Sequence, residues 1–226
     1  MWRALAVVLL SCAVAAQATR VPPEVLPERA TAILKASLEA AEAHARHVWR
    51  DTAPINDDGT INAYVEISRG ERRKFEFDMG TNTRALDRVI PEDIGGYPVN
   101  YGFVPQTVSY DGDPFDALVL GPPLEGGVAV RGLPVGLMLM EDEKGVDSKV
   151  VLSLAGAGFQ PRHTLTKTER QRIGEYFRNY KKHEPGGFSR VPGWGTAVDG
   201  VRHVEMTHAF FLECRTQAAG PCRIAP

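Results

Sequence analysis

The chain has 226 residues and a formal net charge of −2, with 24% charged and 43% hydrophobic residues. That length allows one well-buried domain with extensions, and the composition is that of an ordinary soluble globular protein. The near-neutral, slightly acidic balance excludes the basic footprint that duplex nucleic acid or an anionic membrane surface would require.

Met1-Trp2-Arg3 is a short basic start. An apolar run follows, then Ala16-Gln17-Ala18 ahead of Thr19, the pattern of a secretory signal with its cleavage site. The apolar run is shorter than the roughly 20 residues that span a bilayer. Residues 1–18 are therefore expected to be removed, leaving an exported protein, periplasmic or secreted, with no membrane attachment. An uncleaved anchor and lipidation at Cys12 are the competing readings. Cleavage leaves Cys214 and Cys222, which could close a small loop in an oxidising compartment. Whether their Cα atoms come close enough is a question of the fold.

From Pro22 to Asp51, Ile33, Leu34, Leu38, Ala41, Ala45, Val48 and Trp49 recur at three- and four-residue spacing, which predicts a helix. His44 and His47 fall one turn apart on it and read as surface residues, since no third ligand lies near them in sequence. Pro54 to Gly59 is a loop. The expected division is a signal over 1–18, a helical extension and linker over 19–58, the main domain over 59–213 and a tail over 214–226.

Ile61, Ala63, Val65 and Ile67 alternate with Asn62, Tyr64 and Glu66, and Phe75 and Phe77 alternate with Lys74, Glu76 and Asp78. Two strands are predicted whose polar faces bring Glu66, Lys74 and Glu76 together. Ala117–Leu120, Val128–Val130, Val135–Met140 and Val150–Leu154 are short apolar runs bounded by Gly and Pro; they read as buried strands, arguing for a barrel or a sandwich. A helix begins after Thr166, whose Thr-x-x-Glu pairing with Glu169 is a capping box, and Ile173, Phe177 and Tyr180 continue its period. Beyond Pro185 the chain is rich in Gly and Pro, and the tail after Cys214 is expected to have little structure.

Asp111, Asp113 and Asp116 fall within six residues, just ahead of an apolar run, with Pro114 between the last two. Two carboxylates about 4 Å apart repel by roughly 4 kcal/mol at an effective dielectric near 20, so three held together need cations or protons. No His or Cys joins them, and an all-oxygen set suits Mg2+, Mn2+ or Ca2+ rather than zinc. A lone Asp-Gly-Asp is more often a turn. Here a second cluster follows, with Asp142, Glu143 and Asp147 beside Lys149. Lys74, Arg88, Tyr97, Tyr101, Tyr180 and Lys181 supply the cations and phenols that oxyanion chemistry uses. Carboxylates, cations and phenols in one site suit a small, highly charged phosphate held through bridging metals.

In order along the chain stand Glu66-Ile67, Lys74-Phe75-Glu76, Asp87-Arg88, Tyr97-Pro98-Val99-Asn100-Tyr101-Gly102, Asp111-Gly112-Asp113-Pro114-Phe115-Asp116, Asp142-Glu143-x-Gly145-x-Asp147-x-Lys149 and Tyr180-Lys181. This series closely resembles the family I soluble inorganic pyrophosphatases, from about Ile61 to Trp194. The resemblance implies a mainly β fold with helices, a closed five-stranded barrel of the oligonucleotide-binding type with flanking α-helices, here carrying an N-terminal helical extension. It implies hydrolysis of pyrophosphate to two phosphates with several Mg2+ ions per site, Mn2+ being an alternative, in a homo-oligomer. Asp111, Asp116, Asp142 and Asp147 would be metal ligands and Asp113 the general base for the attacking water. Lys74, Arg88, Tyr101, Lys149, Tyr180 and Lys181 would hold the phosphates, with Glu66, Glu76, Tyr97 and Glu143 in support. Two features depart from the pattern: Phe75 replaces a usual tyrosine, and the lysine expected shortly after Tyr180-Lys181 is not evident in Glu184-Pro185-Gly186-Gly187-Phe188.

Two other readings compete. A metal-dependent phosphohydrolase of nucleotides or esters would use the same metals, but a crowded ring of Lys, Arg and Tyr leaves little room for a nucleoside. A non-catalytic Ca2+-binding barrel is the other, yet Asp111–Asp116 fails the EF-hand pattern. An oligonucleotide-binding groove would be basic and aromatic, which the acidic clusters oppose.

Overall fold

The computed structural model describes residues 25–156, 158–217 and 222, so the expected signal segment lies outside the described residues. Two helices come first, α1 (Glu28–Glu42) and the single-turn α2 (Val48–Asp51). The predicted continuous helix is thus broken over residues 43–47, for a tertiary reason. Arg50 donates to Ala41 O at 2.8 Å and to His44 O at 3.0 Å, capping the carbonyls at the end of α1. His44 and His47 donate to Gly80 O at 2.7 Å and Met79 O at 3.0 Å. His47 is buried rather than superficial.

Nine strands and two further helices follow: β1 (Ile61–Ile67), β2 (Arg73–Asp78), β3 (Thr83–Val89), β4 (Asn100–Phe103), β5 (Asp116–Leu120), β6 (Ala129–Asp142), β7 (Gly145–Val146), β8 (Lys149–Ala155), α3 (Lys167–Asn179), β9 (Ser189–Gly195) and α4 (Ala197–Thr216). The chain is mainly β with flanking helices. β2 and β3 form a hairpin sheet of their own, and the other strands form one seven-stranded sheet. In it β1 pairs antiparallel with β4 and with β6, β4 with β5, and β8 with β6, while β5 and β8 run parallel.

Three elements differ from the sequence expectation. β1 is buried on both faces, with only Asn62 part-exposed, because the β2–β3 hairpin covers its second face. Phe77 packs on Tyr64 with ring centres 5.2 Å apart, and Phe103 lies 5.3 Å from Tyr64. The runs around Val130 and Val135–Met140 are one 14-residue strand. Pro134 is accommodated where the register with β8 shifts, between Pro134 and Gly136, because a residue without N–H is tolerated at such an irregularity. The Gly/Pro-rich end holds β9 and a 20-residue helix. Thr196 and Asp199 form a reciprocal capping box that starts α4.

Cys214, in the last turns of α4, is disulfide-bonded to Cys222, with Cα atoms 5.3 Å apart. Leu26, Ala30 and Leu34 of the N-terminal segment share a core cluster with Tyr64, Phe103, Phe210, Phe211 and this cystine. Burying each large apolar side chain stabilises by about 1.5–3 kcal/mol, so α1 is part of the folded body. Trp49 anchors α2 by donating to Thr107 O at 2.9 Å.

The sheet assembles the two acidic clusters. β5 and β8 are parallel with Ala117 opposite Val150, so Asp116 and Lys149, their first residues, lie side by side. β6 runs antiparallel to β8, so Asp142, its last residue, reaches the same end.

Candidate active site

A cavity of about 330 Å³ opens at that end of the sheet. Of the residues singled out from sequence, Asp113, Asp111, Asp116, Asp142, Asp147, Lys74, Arg88, Tyr101, Tyr180, Lys181, Glu66, Glu76, Tyr97 and Glu143 all line it. Lys149 alone lies behind the lining, with 2% of its side chain exposed.

Lys149 is held between Asp116 and Asp147, donating to Asp147 Oδ1 at 2.8 Å. Burial alone would lower its pKa, but the two carboxylates outweigh burial and raise it. Its ammonium also lies 5.7 Å from the Tyr101 ring centre and 5.8 Å from that of Phe177, a favourable arrangement for a desolvated cation. Lys181, just past α3, donates to Asp142 at 2.7 Å and Glu143 at 2.6 Å. Those bonds outweigh burial and raise the Lys181 pKa, and the same bond from Lys181 lowers that of Glu143 against its own burial.

The Asp111–Asp113 turn forms the outer wall. Asp113 N donates to Asp111 Oδ1 at 3.1 Å. Lys144, from the turn between β6 and β7, places its ammonium 3.6 Å from Asp111 and 3.7 Å from Asp113. Loss of hydration in the crowded turn, followed by the charge of Asp111, pushes Asp113 up to about 7. With 60% of the Asp113 side chain exposed, the charge of Asp111 outweighs the loss of hydration as the cause. Asp147 is pushed up to about 7 by burial and by Asp116, against the pull of Lys149. Burial, with Asp116 second, holds Glu66 well above the carboxylate range; it accepts from Phe77 N at 2.6 Å.

On the opposite wall Lys74 of β2 bonds Glu76 and lies 3.2 Å from Asp87 of β3. Arg88 bonds Asp87 at 2.6 Å and Glu184 at 2.5 Å. The β2–β3 pairing sets Lys74 opposite Arg88. Tyr97, Tyr101 and Tyr180 are raised by burial and therefore act as neutral hydrogen-bonding phenols. Tyr97 packs between Tyr101 and Tyr176, with ring centres 5.4 and 5.1 Å away.

Lys144, Glu184, Asp87, Ser37 and Met79 also line the cavity and were not singled out as site residues. Asp87 adjoins Arg88, and Lys144 sits between Glu143 and Gly145, so position could have flagged both. Glu184 follows Lys181 by three residues, a weaker signal. Nothing local marks Ser37 or Met79, which arrive by tertiary packing.

Ten carboxyl groups line the cavity against four cationic groups, with Lys149 behind as a fifth. Ammonium and guanidinium groups already engage most of these acids, and among the described residues no three His, Cys, Asp or Glu side chains converge as a formed metal centre. The excess of oxygen anions over cations nevertheless suits hard divalent ions, because so many carboxylates repel unless positive charge is added. The donor set therefore fits Mg2+ or Mn2+.

A family model described as inorganic pyrophosphatase matches residues 63–211. An inorganic pyrophosphatase of Sulfolobus acidocaldarius is 32% identical over 158 residues, covering 67% of this chain and 91% of its own. That of Thermus thermophilus is 39% identical over 150 residues, covering 62% and 85%. The crystal structure of inorganic pyrophosphatase from Thermus thermophilus superposes with a TM-score of 0.67 at 34% identity, covering 74% of this chain and 99% of that one. A pyrophosphatase structure from Coxiella burnetii gives 0.65 at 33% identity, covering 71% and 99%.

Proposed function

Since the chain belongs to the inorganic pyrophosphatase family, and so hydrolyses pyrophosphate to two phosphates, we propose that it uses Mg2+ held by Asp111, Asp116, Asp142 and Asp147. The observation that carries this is the surplus of carboxylates over cations in one small cavity. Divalent ions bound there would neutralise phosphate charge and lower the pKa of a water beside them.

The chain's own groups supply the rest. Asp113, at the rim beside Asp111, is placed to accept a proton from the attacking water. Lys74 and Arg88 on one wall and Lys181 on the other can exchange their carboxylate partners for phosphate oxygens, stabilising charge on the leaving phosphate. Tyr101 and Tyr180, kept neutral, donate to the same oxygens, with Tyr97 supporting Tyr101. Glu66, Glu76 and Glu143 hold backbone and lysine partners in place. Lys149 balances Asp116 and Asp147 from behind and sets their orientation, acting on phosphate only where those carboxylates turn toward metal.

The fold reading is a closed five-stranded barrel. Its support is that the pairings β1–β4–β5–β8–β6 return to β1. Export rests on the signal-like start and is supported by the Cys214–Cys222 disulfide, a bond favoured in oxidising compartments. Homo-oligomerisation is proposed on the family resemblance, and sedimentation would check it.

Phosphate release from pyrophosphate with and without Mg2+, beside Asp113→Asn, tests the assignment. Mg2+-dependent turnover falling by about 10²- to 10⁴-fold in the variant is the expected result. Metal-independent turnover, or a variant as fast as wild type, would overturn it.

A further inference from the structure

The N-terminal segment lies outside residues 63–211, the span shared with the family, yet it touches both walls of the cavity. On one side α1 packs on the turn between the two outer aspartates. Gly112 has φ +97°, and a Cβ placed there would lie 2.7 Å from Ile33 Cβ and 3.0 Å from Ala30 O. One turn further along α1, Ser37 lines the cavity itself. On the other side the segment after α1 grips the tip of the β2–β3 hairpin, which carries Lys74 and Arg88. His44 and His47 bond Gly80 O and Met79 O, Val48 N donates to Asn82 Oδ1 at 2.9 Å, and Asn82 Nδ2 donates to Arg46 O at 3.1 Å.

The far end of α1 is tied to the C-terminus. Leu26 N donates to Cys222 O at 2.9 Å, Cys222 N donates to the Thr31 hydroxyl at 3.4 Å, and Cys222 is disulfide-bonded to Cys214 of α4. The cystine thus fixes Cys222, on which the start of α1 rests.

We propose that residues 25–52 are a positioning brace across the mouth of the active site: Ile33 and Ala30 set the Asp111–Asp113 turn, the His44–Val48 stretch sets the lysine-bearing hairpin, and the Cys214–Cys222 disulfide secures the brace. Ile33 is a positioning residue and touches no substrate. A metal site needs its carboxylates held from behind, and loss of such outer support typically lowers metal affinity by about 10- to 100-fold. Two otherwise separate walls, one bearing Asp111 and Asp113 and the other Lys74 and Arg88 with their carboxylate partners, are held in register by a segment that carries no charge of its own into the cavity.

The proposal rests on Asp111 and Asp113 serving the metals, and the experiment separates the two ideas. Mg2+ binding to the substrate-free, full-length protein would be measured by calorimetry for wild type, wild type with the disulfide reduced under native conditions, Ile33→Ala, Ile33→Val and Glu39→Ala. Glu39 is exposed on the same helix and is the control. The expected result is Mg2+ binding weakened by about tenfold in Ile33→Ala and weakened on reduction, restored by Ile33→Val and unchanged in Glu39→Ala. Turnover of Ile33→Ala should recover at saturating Mg2+, with its Tm close to wild type. Wild-type Mg2+ affinity in both Ile33→Ala and the reduced protein would overturn the brace. A wild-type protein that binds no Mg2+ would instead overturn the metal assignment.

Discussion

Lys149 donates to Asp147 at 2.8 Å from a position where almost none of its side chain meets water. The pair, with Asp116 on the other side of the same ammonium, leaves Lys149 balancing charge behind the cavity. Replacing it by methionine keeps the volume and abandons two carboxylates. Lys149→Met should therefore destabilise the metal-free protein by about 3 kcal/mol at pH 8. The loss should shrink at pH 5, where Asp147, raised by burial, can take up a proton. Urea unfolding at the two pH values checks this, and equal losses at both would contradict it.

Lys144 is a competitor for the outer aspartates, lying 3.6 and 3.7 Å from Asp111 and Asp113. A divalent ion must share or displace it. Lys144→Met should tighten Mg2+ binding by a few-fold at pH 8, read by calorimetry at fixed ionic strength. Weaker binding would mean that Lys144 helps to hold the turn.

Asp113 and Asp147 are both pushed up to about 7, above the unfolded value near 3.9. A carboxyl raised in the fold contributes stability that is present below its unfolded pKa and lost as pH rises through its folded pKa. These two acids should outweigh the opposite trend of the buried His47 and the part-buried His203, both lowered by burial, so the metal-free protein should melt at a higher temperature at pH 5 than at pH 8. Mg2+ needs the ionised acids, so binding at pH 6.5 should release protons. Calorimetry in buffers of different ionisation enthalpy counts them; zero release at pH 6.5 would show that both acids were already ionised.

Gly112 is tied to its conformation twice, by φ +97° and by contact with Ile33 and Ala30. Gly112→Ala should cost about 1–3 kcal/mol and reduce turnover at limiting Mg2+, because the helix or the turn must give way. The double variant Ile33→Ala/Gly112→Ala removes only the contact with Ile33 Cγ2 and leaves the Cβ of residue 33 and Ala30 O in the way, so a thermal melt should show little rescue. Full recovery would mean that neither these contacts nor the backbone conformation carries a cost.

Local chemistry made most of the site legible. The six-residue aspartate string, the second acidic cluster and the ordered lysines and tyrosines are contiguous or nearly so, and the structure gathers them around one cavity. β5 and β8 were readable from apolar runs, and β1 from its alternation, although that alternation did not reveal the burial of its second face. The C-terminal helix was not, although Thr196-x-x-Asp199 was a usable start signal, because Gly and Pro upstream suggested a loop. The break between α1 and α2 was also hidden. It depends on Arg50 capping carbonyls and on histidines reaching a hairpin more than 30 residues away, contacts that no periodicity encodes. Lys149 shows the same limit from another side: its place beside the second acidic cluster was legible, while its burial behind the cavity needed the neighbouring strand.

The parallel pairing of β5 with β8 brings together residues 33 apart in the chain, Asp116 and Lys149. No hairpin or helical fragment contains both, and such distant pairings close late because loop entropy must first be overcome. Nascent or partly folded chains would therefore present scattered acids without a high-affinity cation site. Divalent-ion affinity then becomes a readout of completed folding, and in a refolding experiment it should appear with the last kinetic phase rather than with early collapse.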